Sequence, residues 1–345
     1  MTLSRRGLIR ATVAAGVALA LGAAASACGS SGSAAGAQSI TVYNAQHESL
    51  TKAETDAFTA QTGIKVTMRN GDDSEMSNQI VQEGAASPAD VFLTENSPGM
   101  TLVDSKGLFA KIDQATRDQV PAQYAASDGS WVGWAARSTV LPYNPTKLTA
   151  QQLPASIMDL AQPQWKGKIG ISPSGADFQA IVSAVVQVKG DDAALAWLKG
   201  LKENAKLYQG NTSVMKAVNS GEIEAGVIYH YYWFGDQAES GANSKNVQLK
   251  YFKNQDPGAF VSVSGAGVLK SSKRSDAAQQ FVAFLTSQKG QQILSDSDAF
   301  EYSIASGVPA NPKLVPLAEL NPPKVDVSAL NGPKVVDLMR QSGLI

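Results

Sequence analysis

Hydrophobic and polar positions along the chain switch repeatedly between a period of two and a helical period. Ser39-Ile40-Thr41-Val42-Tyr43 is β-branched and alternating, the pattern of a half-buried strand. Leu50, Ala53, Ala57 and Phe58 then recur at helical spacing, with Gly63 as a stop. Ile64-Lys65-Val66-Thr67-Met68 alternates again, and Asp72-Asp73-Ser74 offers N-caps to a helix carrying Met76, Ile80 and Val81. Ala89-Asp90-Val91-Phe92-Leu93 reads as a third strand that ends at Thr94-Glu95-Asn96. The middle of the chain repeats the scheme: strand Lys168-Ile169-Gly170-Ile171, turn Pro173-Ser174-Gly175, helices over 177–188 and 193–204, and a buried strand over Ala225-Gly226-Val227-Ile228. A further helix is predicted over 275–285, and the Pro-rich last stretch carries a helix signal only over 333–340.

This strand–helix alternation predicts an α/β fold with parallel strands. In such sheets ligands gather beyond the carboxyl ends of the strands, so Tyr43 to His47 and Thr94 to Asn96 are placed to converge. A chain of 345 residues is too long for one ordinary core and suits two lobes of roughly 100–200 residues each. No internal repeat is present, so the two halves are inferred from the element pattern.

Residues 1–28 read as an export signal: Arg5-Arg6 and Arg10, an uncharged Ala/Val/Leu run, then Ala25-Ser26-Ala27-Cys28. The run is too short, and too rich in Ala and Gly, for a membrane span. Paired arginines fit twin-arginine export, with Sec export the alternative. Small residues before a lone Cys resemble a bacterial lipobox, which makes Cys28 the candidate lipidation site, and residues 29–38 form a Gly/Ser/Ala tether. Removing residues 1–27 takes away three arginines and no acid, turning a net charge of −1 into 26 basic against 30 acidic residues. No basic stripe for nucleic acid remains. One Cys and two His exclude a disulfide framework and any Cys- or His-rich metal site, so any metal chemistry falls mainly to oxygen donors.

The most unusual string is Tyr229-His230-Tyr231-Tyr232-Trp233-Phe234, directly after a buried strand. Continued as a strand, it would send Tyr231 and Tyr232 to opposite faces as packing residues. Only if the strand ends at Ile228 and a loop begins do the two phenols share one ligand. Tyr43, Trp131, Trp134 and Trp233 read as packing residues, and Glu48 as a first-turn helix charge.

The mature chain resembles the ferric-ion-binding proteins of bacterial ABC transporters, in the transferrin-like class of two-lobed periplasmic binding proteins. The resemblance rests on Ile40 through His47, Ser87-Pro88-Ala89-Asp90-Val91-Phe92 with Glu95, Ser174-Gly175-Ala176, and Gly221-Glu222-Ile223-Glu224-Ala225. Tyr231-Tyr232-Trp233, Asp256-Pro257-Gly258-Ala259 and Ser264-Gly265-Ala266-Gly267-Val268-Leu269-Lys270 complete it. It implies a type II periplasmic-binding-protein fold, each lobe a mainly parallel sheet flanked by helices, joined by crossing hinge strands near Ala136–Tyr143 and Ala259–Ser264. The expected lobes are 39–136 with 260–299, and 137–259 with 300–345.

The same resemblance implies Fe(III) held by His47, Glu95, Tyr231 and Tyr232. A synergistic phosphate or carbonate would sit at Ser174, Gly175 and Ala176, with Asn96, Asn211 and Arg137 as further contacts. Two phenolates and a carboxylate balance a trivalent ion, and hard oxygen donors suit it. Three departures bear on the anion. Asn96 replaces a more familiar Gln, Tyr229 stands where an Asn is common, and Asp177 would repel phosphate if it faced inward. Tyr229 is thereby a further candidate ligand, whereas family register gives His230 no metal role. The expected molecule is a monomeric, lipid-anchored, non-enzymatic binding protein on the outer face of the cell membrane. Its partner would be an ABC transporter permease. The alternatives are a same-fold receptor for thiamine, a phosphonate or a polyamine, and a secreted metal-dependent hydrolase, for which no HExxH-type motif or nucleophile–base pair is present.

Overall fold

A computed structural model describes residues 39–305 and 307–345. The segment holding Cys28, the export signal and the tether lies outside the described residues. The first lobe opens with β1 (Ser39–Asn44), α1 (Glu48–Thr62), β2 (Lys65–Asn70), α2 (Asp73–Glu83), β3 (Val91–Leu93) and α3 (Ser97–Ser105). Gly63 ends α1 at φ 75°, a left-handed turn that costs a glycine nothing. Strand β1 lies parallel to both β2 and β3, with Asn44 opposite Leu93 at their carboxyl ends. Phe58, Phe281 and Phe284 meet edge to face beneath this sheet.

After a short α4 (Gln114–Arg117), the twelve-residue β4 (Val132–Tyr143) joins the lobes. The second lobe holds β5 (Ile169–Ile171), α5 (Ala176–Lys189), α6 (Asp191–Asn204), β6 (Ala205–Leu207) and α7 (Asn211–Ser220). It continues with β7 (Ala225–Gly226), β8 (Ile228–Tyr229), α8 (Tyr231–Glu239) and β9 (Gln248–Tyr251). The chain then returns through β10 (Val261–Val268), α9 (Ser275–Thr286), α10 (Gln288–Asp296) and β11 (Tyr302–Ser303), and ends with α11 (Leu317–Leu320) and α12 (Gly332–Gln341).

β4 is shared between the sheets. Val132 to Ser138 pair antiparallel with β10, and Thr139 to Tyr143 pair with β7, β8 and β9. The two lobes are therefore joined by crossing strands, and each sheet is mixed: parallel outside, antiparallel where β4 and β10 pass. Tyr302 and Ser303 pair with Ala136 and Ala135, on the first lobe's sheet. The predicted strand over 225–228 is two short pieces broken at Val227: β7 lies between β4 and β5, and β8 pairs with β4. Helix α12 packs on α5 and α6 and also reaches α3. Among the described residues no helix is long and apolar enough to cross a membrane.

Candidate metal centre

Five helix N-termini supply the site. His47 is the residue before α1, Asn96 the residue before α3, Asp177 the second residue of α5, Asn211 the first of α7, and Tyr231 and Tyr232 the first two of α8. Each follows the carboxyl end of a strand, as the sheet rule requires. The positive ends of these helices favour anionic groups, which are the groups that hold a cation.

Local chemistry fixes each donor. The Asn44 side chain closes the turn after β1: its Oδ1 accepts from Gln46 N at 3.1 Å, and its Nδ2 donates to Gln46 O at 2.8 Å. Gln46 Oε1 then accepts the His47 N–H at 2.8 Å. Across the lobe, Asp72 caps α2, and its neighbour Asp73 accepts the backbone N–H of Glu95 at 2.8 Å and of Asn96 at 2.9 Å. That carboxylate presets the loop carrying Glu95. In the second lobe the strand ends at Tyr229, and a helix follows rather than the expected loop. The first turn of α8 places the rings of Tyr231 and Tyr232 4.3 Å apart, so both phenols reach one point.

The four predicted metal ligands do meet. Tyr231 Oη donates to Glu95 Oε1 at 2.5 Å, and His47 Nε2 lies 3.8 Å from the same oxygen. Tyr232 Oη donates to Asp177 Oδ2 at 3.0 Å, and Tyr231 Oη lies 3.3 Å from that oxygen. Asp177 faces inward, and its carboxylate accepts Asn96 Nδ2 at 2.9 Å and Asn211 Nδ2 at 2.7 Å. The asparagines expected to hold an external anion thus hold the chain's own carboxylate. Ser174 is exposed, and its carbonyl accepts Gln179 Nε2 at 3.4 Å. Gly175 precedes α5 with no side-chain cap, and Asp177 stands in the first turn of that helix. Arg137, expected to neutralise an anion, is fully buried against Glu301 at 2.6 Å and bonded to Ser264.

A profile of the bacterial extracellular solute-binding proteins matches residues 86–327. The chain belongs to this family. Over 308 residues it is 60% identical to the Fe(3+)-binding periplasmic protein of Serratia marcescens, covering 89% of this chain and 91% of that one. It is 38% identical over 308 residues to the major ferric iron-binding protein of Neisseria meningitidis serogroup B, covering 88% and 93%. The crystal structure of iron-bound HitA from Pseudomonas aeruginosa matches with a TM-score of 0.84 at 44% identity, covering 89% of this chain and 99% of that one. The type II binding-protein fold expected from the sequence is therefore the fold of this solute-binding protein.

Electrostatics complete the picture of this family member's cleft. Burial pushes the Tyr231 and Tyr232 hydroxyls well above the usual phenol range, and Asp177 and Glu95 push the same way. Glu95 rises to about 7, first from burial and then from Asp177, against Arg137 and His47. Burial also raises Asp177, against the Asn96 hydrogen bond and Arg137. His47 is raised because Glu301 and Glu95 outweigh the effect of its own burial. Without a cation the cluster therefore holds protons between its oxygens.

The remaining residues of the Tyr-rich string take structural parts. Tyr229 Oη donates to Asn96 Oδ1 and the Asp177 carbonyl, each at 3.3 Å, and its hydrogen bonds involve none of the carboxylates. His230 is fully buried and neutral: Nδ1 accepts the Ser138 N–H at 3.2 Å, and burial lowers its pKa to about 4. It ties β4 to the start of α8. Trp131 and Trp134 are core residues, and Trp233 Nε1 donates to Val247 O at 2.9 Å. Sequence reasoning missed Asp73 and Glu301. A double Asp at a helix start, where only one can cap, is a usable signal for Asp73. Nothing local marks Glu301.

Proposed function

We propose that this protein captures ferric iron between its lobes, outside the cytoplasm, and delivers it to an ABC importer. The observation that carries the reading is the proton-bridged cluster of Tyr231, Tyr232, Glu95 and Asp177, with His47 beside it. Phenols with raised pKa values ionise at neutral pH only beside a strongly charged ion, and a trivalent cation displaces the shared protons. Three carboxylate or phenolate charges balance Fe(III), and Asp177 adds a fourth in the place expected for a synergistic phosphate or carbonate. On this reading iron binds without an external anion. The naming of both curated relatives for ferric iron supports the assignment.

His47 and Glu95 stand on the first lobe and Asp177, Tyr231 and Tyr232 on the second, so the ion favours the closed form through contacts the open form lacks. A cavity of about 290 Å³ lined by His47, Tyr231, Tyr232, Asp236 and Glu239 leads to the cluster. The donors lie 2.5 to 3.3 Å from one another, a spacing that suits one shared ion rather than thiamine, a phosphonate or a polyamine. The lipobox-like sequence supports anchoring through Cys28 on the outer face of the cell membrane, with a monomer as the working unit and a permease as its partner.

Titration of the unloaded protein with Fe(III) in the visible range tests the reading. A tyrosinate-to-iron charge-transfer band is expected, weakened in Tyr231→Phe and in Tyr232→Phe and absent from the double variant. A wild type that stays colourless and gains no thermal stability from iron sinks the assignment.

A further inference from the structure

Glu301 has no part in the ligand set argued above, yet it is aimed into that site. It is fully buried, between Phe300 and β11. Its Oε2 accepts from Arg137 Nη2 at 2.6 Å and Gln46 Nε2 at 3.3 Å. Its Oε1 lies 3.2 Å from His47 Nε2, but neither atom has a hydrogen-bond partner among the described residues. The two atoms stand as an ion pair when His47 is protonated, and a cation between them would take that proton's place. With His47 neutral that buried oxygen would lack a donor, which is costly, so the position between the two atoms favours a proton or a cation. Phe300 adopts φ 51°, a left-handed backbone that a bulky aromatic residue avoids, and this turn delivers Glu301 to the cleft. His47, Glu95 and Glu301 each offer a donor atom within 4.8 Å of the others.

We propose that Glu301 Oε1 is itself a ligand to the captured ferric ion, the sixth donor of an all-protein octahedron. This rests on the ferric reading above. The other five are His47 Nε2, Glu95 Oε1, Tyr231 Oη, Tyr232 Oη and Asp177 Oδ2. Neighbouring donors of an octahedral hard cation with bonds of about 2.0–2.1 Å stand about 3 Å apart. The separations here are 2.5 Å for Glu95–Tyr231, 3.0 Å for Tyr232–Asp177, 3.2 Å for His47–Glu301, 3.3 Å for Tyr231–Asp177 and 3.8 Å for His47–Glu95. These are edges of such a polyhedron, collapsed around protons. Two phenolates and three carboxylates exceed a trivalent charge, and the buried Arg137 on Oε2 supplies a compensating positive charge. Arg137 thereby orients Glu301 and leaves Oε1 free for the ion.

The test is electron paramagnetic resonance of protein loaded from ferric nitrilotriacetate, with chelator removed, in ordinary and ¹⁷O-enriched water. Six protein donors leave no bound water, so the wild-type ferric signal is expected to keep its width in the enriched solvent. Glu301→Gln keeps an acceptor for Arg137 but removes an anionic donor. It is expected to broaden in ¹⁷O water, to shift the charge-transfer band to longer wavelength, and to bind iron roughly tenfold or more weakly. A coloured wild type that broadens has water in the sixth position and overturns the inference, with no variant needed. A Glu301→Gln protein with unchanged band and width overturns it as well. A colourless wild type overturns the ferric reading and this inference together.

Discussion

Asp177→Ala should turn an anion-independent iron binder into an anion-dependent one. In the native cleft the Asp177 carboxylate accepts Asn96 Nδ2 at 2.9 Å and Asn211 Nδ2 at 2.7 Å while bonding Tyr232 Oη at 3.0 Å. Truncation removes one anionic ligand and unpairs one N–H on each of two buried amides, at roughly 1–3 kcal/mol each, while Asn96 Nδ2 keeps Asp73 Oδ2 at 3.2 Å. At 1.4 kcal/mol per decade, about 2–6 kcal/mol corresponds to an affinity loss of roughly 30-fold to 10⁴-fold. The vacated space at the N-terminus of α5 keeps both amide donors and the positive end of the helix, which suits a small oxyanion. Adding carbonate or phosphate should restore most of the lost affinity in the variant and leave the wild type unmoved. The assay is a competitive visible titration in a buffer stripped of both anions, repeated with each anion at increasing concentration. Full wild-type affinity of Asp177→Ala in the stripped buffer, or a wild type that itself needs phosphate, refutes the reasoning.

Two further outcomes follow from buried ionisable groups. Iron must expel the phenolic protons of Tyr231 and Tyr232 and part of a proton from Glu95, whose pKa is about 7, so affinity falls as pH falls. Two or more protons released give a loss of about 100-fold or more per pH unit below neutrality, read from titrations at several pH values; a slope below one proton contradicts the cluster. Glu54, with no exposure and no partner for either oxygen among the described residues, has its pKa pushed up to about 9 by burial. A raised carboxyl pKa means the folded state holds a proton that the unfolded state loses above pH 4.5. The penalty therefore grows with pH from about 4.5 to about 9, reaching roughly 3 kcal/mol at pH 7 and about 1 at pH 5. Glu54→Met should raise the melting temperature more at pH 8 than at pH 5, and equal gains at both would count against it.

The fold was largely legible because its signals are local. Alternation in Ile64 to Met68, the Asp72 cap and the Gly63 stop each reflect the backbone around them, and the corresponding elements lie within a few residues of expectation. The four proposed metal donors were legible through resemblance alone, since neither His47 nor Glu95 carries a local mark of its partner. What periodicity missed at Tyr231 was the helix. Two aromatic side chains directly after a strand fit a strand, a loop or a helix start equally well, and the choice is made by the Ser138–His230 contact from another part of the chain. Asp177 was visible as an anomaly with an undetermined direction. Its side chain faces inward because Asn96 and Asn211, 81 and 34 residues away in sequence, both aim amides at it.

Glu301 marks the limit of sequence reasoning more sharply, because its environment is assembled from three distant segments. Arg137 comes from the shared strand β4, Gln46 and His47 from the first strand–helix turn, and Glu301 itself from the return of the chain beside β4. A buried arginine requires a carboxylate partner, since an uncompensated charge in a dry interior costs several kcal/mol. Glu301 meets that need with one oxygen only. The Arg137–Glu301 pair also lies at the strand crossing between the lobes, so the residue that balances the hinge arginine is the one that reaches the cleft. On the proposed reading closure and ion capture share a carboxylate, and a change at Glu301 should alter both the iron spectrum and the stability of the unloaded protein.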